Sequence, residues 1–364
     1  MNELDDAGPR PTDSEIPDES RRGFLAGSAA LALAAASAPA LAATPGKSRI
    51  VQAEDPAVST GPTAIDKARL EALIDAALMR YTGEKSASAA LGRYFKKGQK
   101  VAIKINTLGS PYASVHPETA LHLGRRLHEA GLPKDDIRIF DQYISRMQTG
   151  RFRARRKPGE IWVTNHLGRT PEKQVYTDGD YRVEFHWEKL IVWADAVLNV
   201  CVPKDHDLTG VTGAMKNMAM GVVKPTEERE ANKANPGHYT VVPKFHRNNC
   251  DPAIPKLYAM PMIKDKVKLI VVDAVRCLYH GGPQDKPRFR EPLNQVWVAE
   301  DPVAVDSTIH RLVNKIRKDK GLKPIEEDLF RDKPRHPKYI ATAAKMGLGT
   351  NDPAKITLDH FKVG

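Results

Sequence analysis

Between Asn199 and Pro225 the chain brings together two amines and an imidazole, Lys204, His206 and Lys216, around the glycine and threonine steps Thr209-Gly210 and Thr212-Gly213. Apolar residues up to Val202 read as a strand, and Thr212 to Met220 read as a helix, so the group sits on a strand-to-helix turn. At the carboxyl edge of a parallel sheet such a turn is where ligands bind, and a helix start offers unpaired N–H groups to an anion. Gly210 and Gly213 would let the backbone approach a ligand, while Thr209 and Thr212 would cap the helix or bind an oxygen. In an extended strand end, residues 204 and 206 face one side and 205 and 207 the other. Lys204, His206 and the helix start would then share one ligand volume, with Asp205 and Asp207 turned away. On this reading Lys204 and Lys216 hold an anion and His206 transfers a proton near neutral pH. Aspartates facing inward would instead make a cation site of His206, Asp207 and Asp273.

Further metal-ligand candidates are His238, His246 and Asp251, with Asp273 and His280 at another strand end; together with His206 they suit zinc, iron or manganese. Pro236-Gly237-His238 and Lys244-Phe245-His246 lie in a long loop rich in Lys, Asn and Pro, which reads as a lid over the Lys204 to Lys216 turn or as a mobile basic loop. Cys201, Cys250 and Cys277 form no C-x-x-C pair; they allow one disulfide at most and no cluster motif. Asp301 before Pro302 reads as a helix cap, and Asp306 sits where a carboxylate favours the helix dipole or reaches the site.

The elements that must position these residues follow from periodicity. Strands are predicted at 100–106, 137–141, 161–165, 196–202, 268–273, 295–299 and 355–358. Helices are predicted over 65–81, 116–129, 188–195, 212–220, 251–260, 303–317 and 337–346. Strands separated by helix-length segments predict an α/β fold: a largely parallel sheet with flanking helices, in one domain or two lobes.

At the N-terminus, Ser20-Arg21-Arg22-Gly23-Phe24-Leu25 leads into an alanine-rich apolar run that closes on Ala40-Leu41-Ala42. That is the form of a cleaved signal peptide covering 1–42, and its paired arginines resemble the twin-arginine export motif of bacteria. The expected route is the twin-arginine translocase, with folding and any cofactor loading before transport and a final place in the periplasm or beyond. Losing three arginines and seven acidic residues with 1–42 raises the formal charge from +11 to +15. That balance favours anionic partners. The basic run Arg151 to Lys157 reads as a solvated helix face, and nucleic acid is not the expected partner. Residues 43–64, rich in Pro, Ser, Thr and Gly, read as a linker, with the α/β domain spanning 65–364.

Lys204-Asp205-His206, the Thr-Gly-x-x-Lys-Asn run of Thr212 to Asn217, Asp301-Pro-Val-Ala-Val-Asp306, Val101 to Asn106 and the strand ending at Asp273 with Gly281-Gly282-Pro283 beyond resemble the domain of unknown function 362 family over about 100–315. Members are often exported or joined to ferredoxin-like modules, which implies redox or metal work and a redox partner. The matched residues Asn106, Thr209, Gly210, Thr212, Gly213 and Asn217 are the implied cofactor contacts. His206-x-x-x-Gly210-x-x-Gly213-x-x-Lys216 also resembles the segment of the nickel-pincer lactate racemase family in which a lysine carries a modified nicotinic cofactor. That resemblance implies Lys216 as attachment point and His206 as acid/base; it departs at Ala214 and in having no histidine after Lys216 before His238 and His246. The expected function is an exported enzyme of redox or acid/base chemistry, an oxidoreductase or isomerase, acting on a small anionic substrate with a divalent metal or an organic cofactor. The alternative is a non-catalytic envelope protein that binds an anionic metabolite, metal complex or polyanion.

Overall fold

A computed structural model describes residues 47–226, 242–330 and 333–363. Its central sheet starts from a run of short apolar strands that a helix must follow. Val101–Lys104 (β2) is buried throughout, Ile137–Asp141 (β3) nearly so, and both need cover on two faces, as parallel strands do. With Ser48–Glu54 (β1), Trp162–Asn165 (β4), Ala196–Cys201 (β7), Val267–Leu278 (β11), Arg290–Ala299 (β12) and Ile356–Lys362 (β15) they form one sheet in the order β15-β1-β12-β11-β7-β2-β3-β4. Every neighbouring pair is parallel except the two made by β12, which runs antiparallel to β1 and β11. The fold is α/β with a mostly parallel sheet, and the described residues belong to one compact unit.

Helices cover both faces. Lys67–Thr82 (α1), Ala87–Gly92 (α2) and Pro117–Glu129 (α3) turn Leu70, Leu73, Ile74, Leu91, Leu123 and Leu127 onto one face. Lys189–Trp193 (α5), Ala214–Ala219 (α6), Ala253–Tyr258 (α7), Pro302–Asp319 (α9) and Lys338–Lys345 (α10) close the other, beside the smaller sheet of Arg169–Asp178 (β5), Tyr181–Glu188 (β6) and Val223–Pro225 (β10). Two short helices, Ile144–Thr149 (α4) and Pro261–Lys264 (α8), complete the layers. Sequence capping works as expected in α9, where the Asp301 carboxylate accepts from Val303 and Ala304 N–H at 2.8 Å each.

The linker expected over 43–64 does not hold from Ser48 onward. β1 is an interior strand between β12 and β15, with Ile50, Val51 and Ala53 fully buried. Two residues of that size, Ile50 and Val51, contribute roughly 1.5–3 kcal/mol each on burial, so an isolated strand of seven residues outweighs the loop-like composition around it. The signal peptide expected at 1–42 lies outside the described residues, and so does His238. Arg151 to Lys157 is a non-helical stretch, exposed except for the buried Phe152, and not a helix face; Arg155 bridges to Val163. The three cysteines are buried and free.

Candidate functional site

The carboxyl ends of β2, β3 and β7 deliver a buried polar floor. Lys104, 1 % exposed at the end of β2, donates from Nζ to Asp141 Oδ1 at the end of β3 (2.8 Å), to Asn217 Oδ1 on α6 (2.9 Å) and to the Ile105 carbonyl (2.6 Å). Asp141 Oδ2 takes the N–H and hydroxyl of Thr107 at 2.6 and 2.5 Å. Burial pushes this carboxyl up, but the Lys104 ammonium and the two Thr107 donors hold it below the ordinary aspartate value. Asn217 is tied further to Asn199 Oδ1 (2.7 Å) and the Val200 carbonyl (3.1 Å), so α6 is locked to β7 by side-chain amides.

Above this floor stands the strand-to-helix turn. Lys204–His206 (β8) pairs with Gly210–Thr212 (β9) as a tight hairpin, and Gly210 holds φ +78° where an added Cβ would lie 2.5 Å from the Arg335 carbonyl. The hairpin aims His206, 3 % exposed, at α6. His206 Nε2 meets Lys216 Nζ at 2.7 Å, and Lys216 Nζ meets His246 Nε2 at 3.4 Å. The two imidazoles stack with centroids 6.2 Å apart. Burial pushes both the His206 imidazolium and the Lys216 ammonium down, and for His206 the neighbouring Lys216 and His246 add to it.

His206 and Lys216 open onto a cavity of about 640 Å³, walled also by Lys104, Asp141, Arg146, Asp207, Thr212 and Gln284. A volume of that size suits a small metabolite. Arg146, half-buried on α4, lays its guanidinium over the Tyr143 ring at 4.6 Å from the centroid. Among the described residues it has no carboxylate partner. Thr212 Oγ1 is buried with no partner.

Several sequence expectations are corrected here. Lys204 is not a ligand group: its ammonium is fully buried and donates to Asn106 Oδ1 (2.7 Å) and to the carbonyls of Leu108 and Ala113, so its three protons fasten the loop after β2. Burial pushes it down to about 7. The helix start is already filled, because Asp306 accepts from Ala214 N–H (2.6 Å) and Met215 N–H (3.3 Å). Gly213 serves that contact; a Cβ there would fall 2.1 Å from Asp306 Oδ1. Thr209 caps locally, donating to the Val211 carbonyl. Asp205 does turn away, onto Arg335 (2.8 Å) and Gly282 N–H (3.0 Å), but Asp207 lines the cavity with Oδ1 3.0 Å from His206 Nδ1.

Among the described residues the expected metal ligands come together only in part. His206 and His246 come together, but Asp273 accepts from Thr119 at 2.8 Å and pairs with His116 at 3.0 Å. Alternation along β11 sets Asp273 with Val271 and Val275 on the α3 face, whereas α6 packs on the opposite face. His280 pairs with Arg317, and Asp251 lies beside a separate pocket near Tyr176. No group of three or more His, Cys, Asp or Glu is arranged around a metal position among the described residues. Sequence reasoning missed Lys104, Asp141 and Arg146; only the strand-end position of the first two was a usable signal.

No curated protein matches the chain. Among solved structures, the lactate racemase apoprotein from Thermoanaerobacterium thermosaccharolyticum aligns with a TM-score of 0.33 and 16% identity, over 69% of this chain and 54% of that one. The chain thus spans about half the length of that relative. Residues 101–311 match the family model described as Domain of unknown function (DUF362), which covers more than half of the sequence and every residue that lines the cavity, and the chain belongs to that family.

Proposed function

We propose that the cavity is the active site of an enzyme that carries out acid/base chemistry on a small anionic substrate. The observation that carries this reading is the 2.7 Å contact of His206 Nε2 with Lys216 Nζ in the wall of a cavity that also presents Arg146, which has no carboxylate partner among the described residues. An arginine placed this way binds a carboxylate or phosphate through its planar fork. Two groups whose charged forms are disfavoured by burial then stand ready to exchange a proton with the bound molecule. The export motif Ser20 to Leu25 supports delivery by the twin-arginine translocase to the periplasm in folded form.

The test is proton exchange. Small 2-hydroxy, 2-oxo and amino acids incubated with the protein in D2O should show wash-in of deuterium at the carbon beside the carboxylate for at least one compound. His206→Ala should slow that exchange by about 10²–10⁴-fold. Exchange in no compound, or undiminished exchange in the variant, would show that the His206–Lys216 pair does not move protons on a substrate.

A further inference from the structure

We propose that Lys216 acts as a neutral amine that adds to a carbonyl carbon, so that the cavity takes a small carboxylate bearing an aldehyde or ketone and holds it as an imine. This deepens the active-site reading above and rests on it.

The case starts from the tautomer of His206. Its Nδ1 accepts two backbone N–H groups, Leu208 at 3.1 Å and Thr209 at 3.3 Å, within the tight turn from β8 to β9. A nitrogen that accepts cannot also carry the ring proton, so in the neutral imidazole the proton is on Nε2. Nε2–H then points at Lys216 Nζ over 2.7 Å. An ammonium has three donors and no lone pair, and it cannot accept that hydrogen. The contact is satisfied when Nζ is the amine, which accepts from His206 and keeps its own N–H groups for His246 and the cavity. Asp207 Oδ1 stands 3.0 Å from the same Nδ1, a placement that alone would favour the other tautomer. Two backbone donors already occupy that lone pair. The surroundings of Lys216 agree with the geometry, since burial depresses the ammonium.

The cavity supplies what a carbonyl-bearing anion needs. Arg146 takes a carboxylate. Thr212, 2 % exposed and with an unpartnered hydroxyl in the wall, offers a hydrogen bond to a reacting oxygen. The Nζ lone pair forms the C–N bond while the carbonyl π pair moves to oxygen. Both amine hydrogens then leave with that oxygen as water, and C=N remains.

The experiment treats the purified full chain with glyoxylate and sodium cyanoborohydride at about pH 7.5 and reads modified lysines by peptide mass spectrometry. The reagent's hydride goes to the imine carbon, and solvent supplies the proton that completes a secondary amine. An ordinary lysine is amine only about one part in a thousand at this pH. Lys216 should therefore be labelled at least tenfold faster than exposed lysines such as Lys268 and Lys315. His206→Gln should slow labelling of Lys216 by about tenfold or more, and Lys216→Arg should abolish that adduct. Arg146→Met should slow labelling by glyoxylate and leave labelling by acetaldehyde unchanged. Labelling of Lys216 no faster than Lys268 in wild-type protein overturns the inference. If glyoxylate still raises the thermal midpoint in wild type and not in Arg146→Met, the anion-site reading survives that result; if it raises neither, both readings fall.

Discussion

Asp306 illustrates why the helix start looked like a ligand site in the sequence and is not one. Its carboxylate accepts from Ala214 and Met215 N–H, 92 and 91 residues away in sequence, and from the Tyr339 hydroxyl at 2.9 Å. Nothing in the spacing of Thr212 and Gly213 reveals that partner. Asp306→Ala should cost about 2–4 kcal/mol in urea unfolding, since it strands buried donors, while Asp306→Asn, which keeps an acceptor, should cost less than half as much. Thr212→Val should do the opposite, leaving stability unchanged or raising it by about 1 kcal/mol, because it removes a buried hydroxyl with no partner. His206 adds a pH signature. Its folded-state affinity for a proton is well below that of an ordinary histidine near 6.5, so under that pH the unfolded chain binds more protons and stability is lost on acidification. The stability advantage of wild type over His206→Gln should shrink between about pH 7.5 and pH 5 in paired unfolding curves. His206 and Lys216 were legible because they lie close in sequence on one turn. Arg146 was not, because its role depends on a cavity that the strand order creates.

At the scale of elements, the alternation of short apolar strands with amphipathic helices was enough to place β2, β3, β4, β7, β11, β12 and β15 and the main helices. β1 escaped because its seven residues sit inside a stretch whose Pro, Ser, Thr and Gly content dominates any window. The β5–β6 hairpin escaped for a related reason: β5 is a largely exposed, charged strand, with Glu172 and Lys173 outward, and lacks a run of buried positions. Deleting residues 43–46 should leave a folded protein, whereas deleting through Glu54 removes the strand that joins β15 to β12 and should give insoluble or unfolded chain. Circular dichroism and sedimentation of the two deletions would decide it; a folded product of the longer deletion would mean that β1 is dispensable.

For the molecule as a whole, the formal charge of +11 and an Arg146 without a carboxylate partner among the described residues both accord with the proposed anionic substrate. Export belongs to this scale too. Replacing Arg21 and Arg22 together by lysine should strand a folded precursor in the cytoplasm, and unchanged periplasmic recovery would count against the twin-arginine route. The central claim is that the cavity between α4 and α6 binds a small anion, and thermal unfolding in the presence of small carboxylates tests it most directly. A carboxylate at about a hundred times its dissociation constant should stabilise wild type by about 2.7 kcal/mol. The gain should fall by more than half in Arg146→Met and persist in Lys268→Met; equal stabilisation of all three proteins would contradict the account.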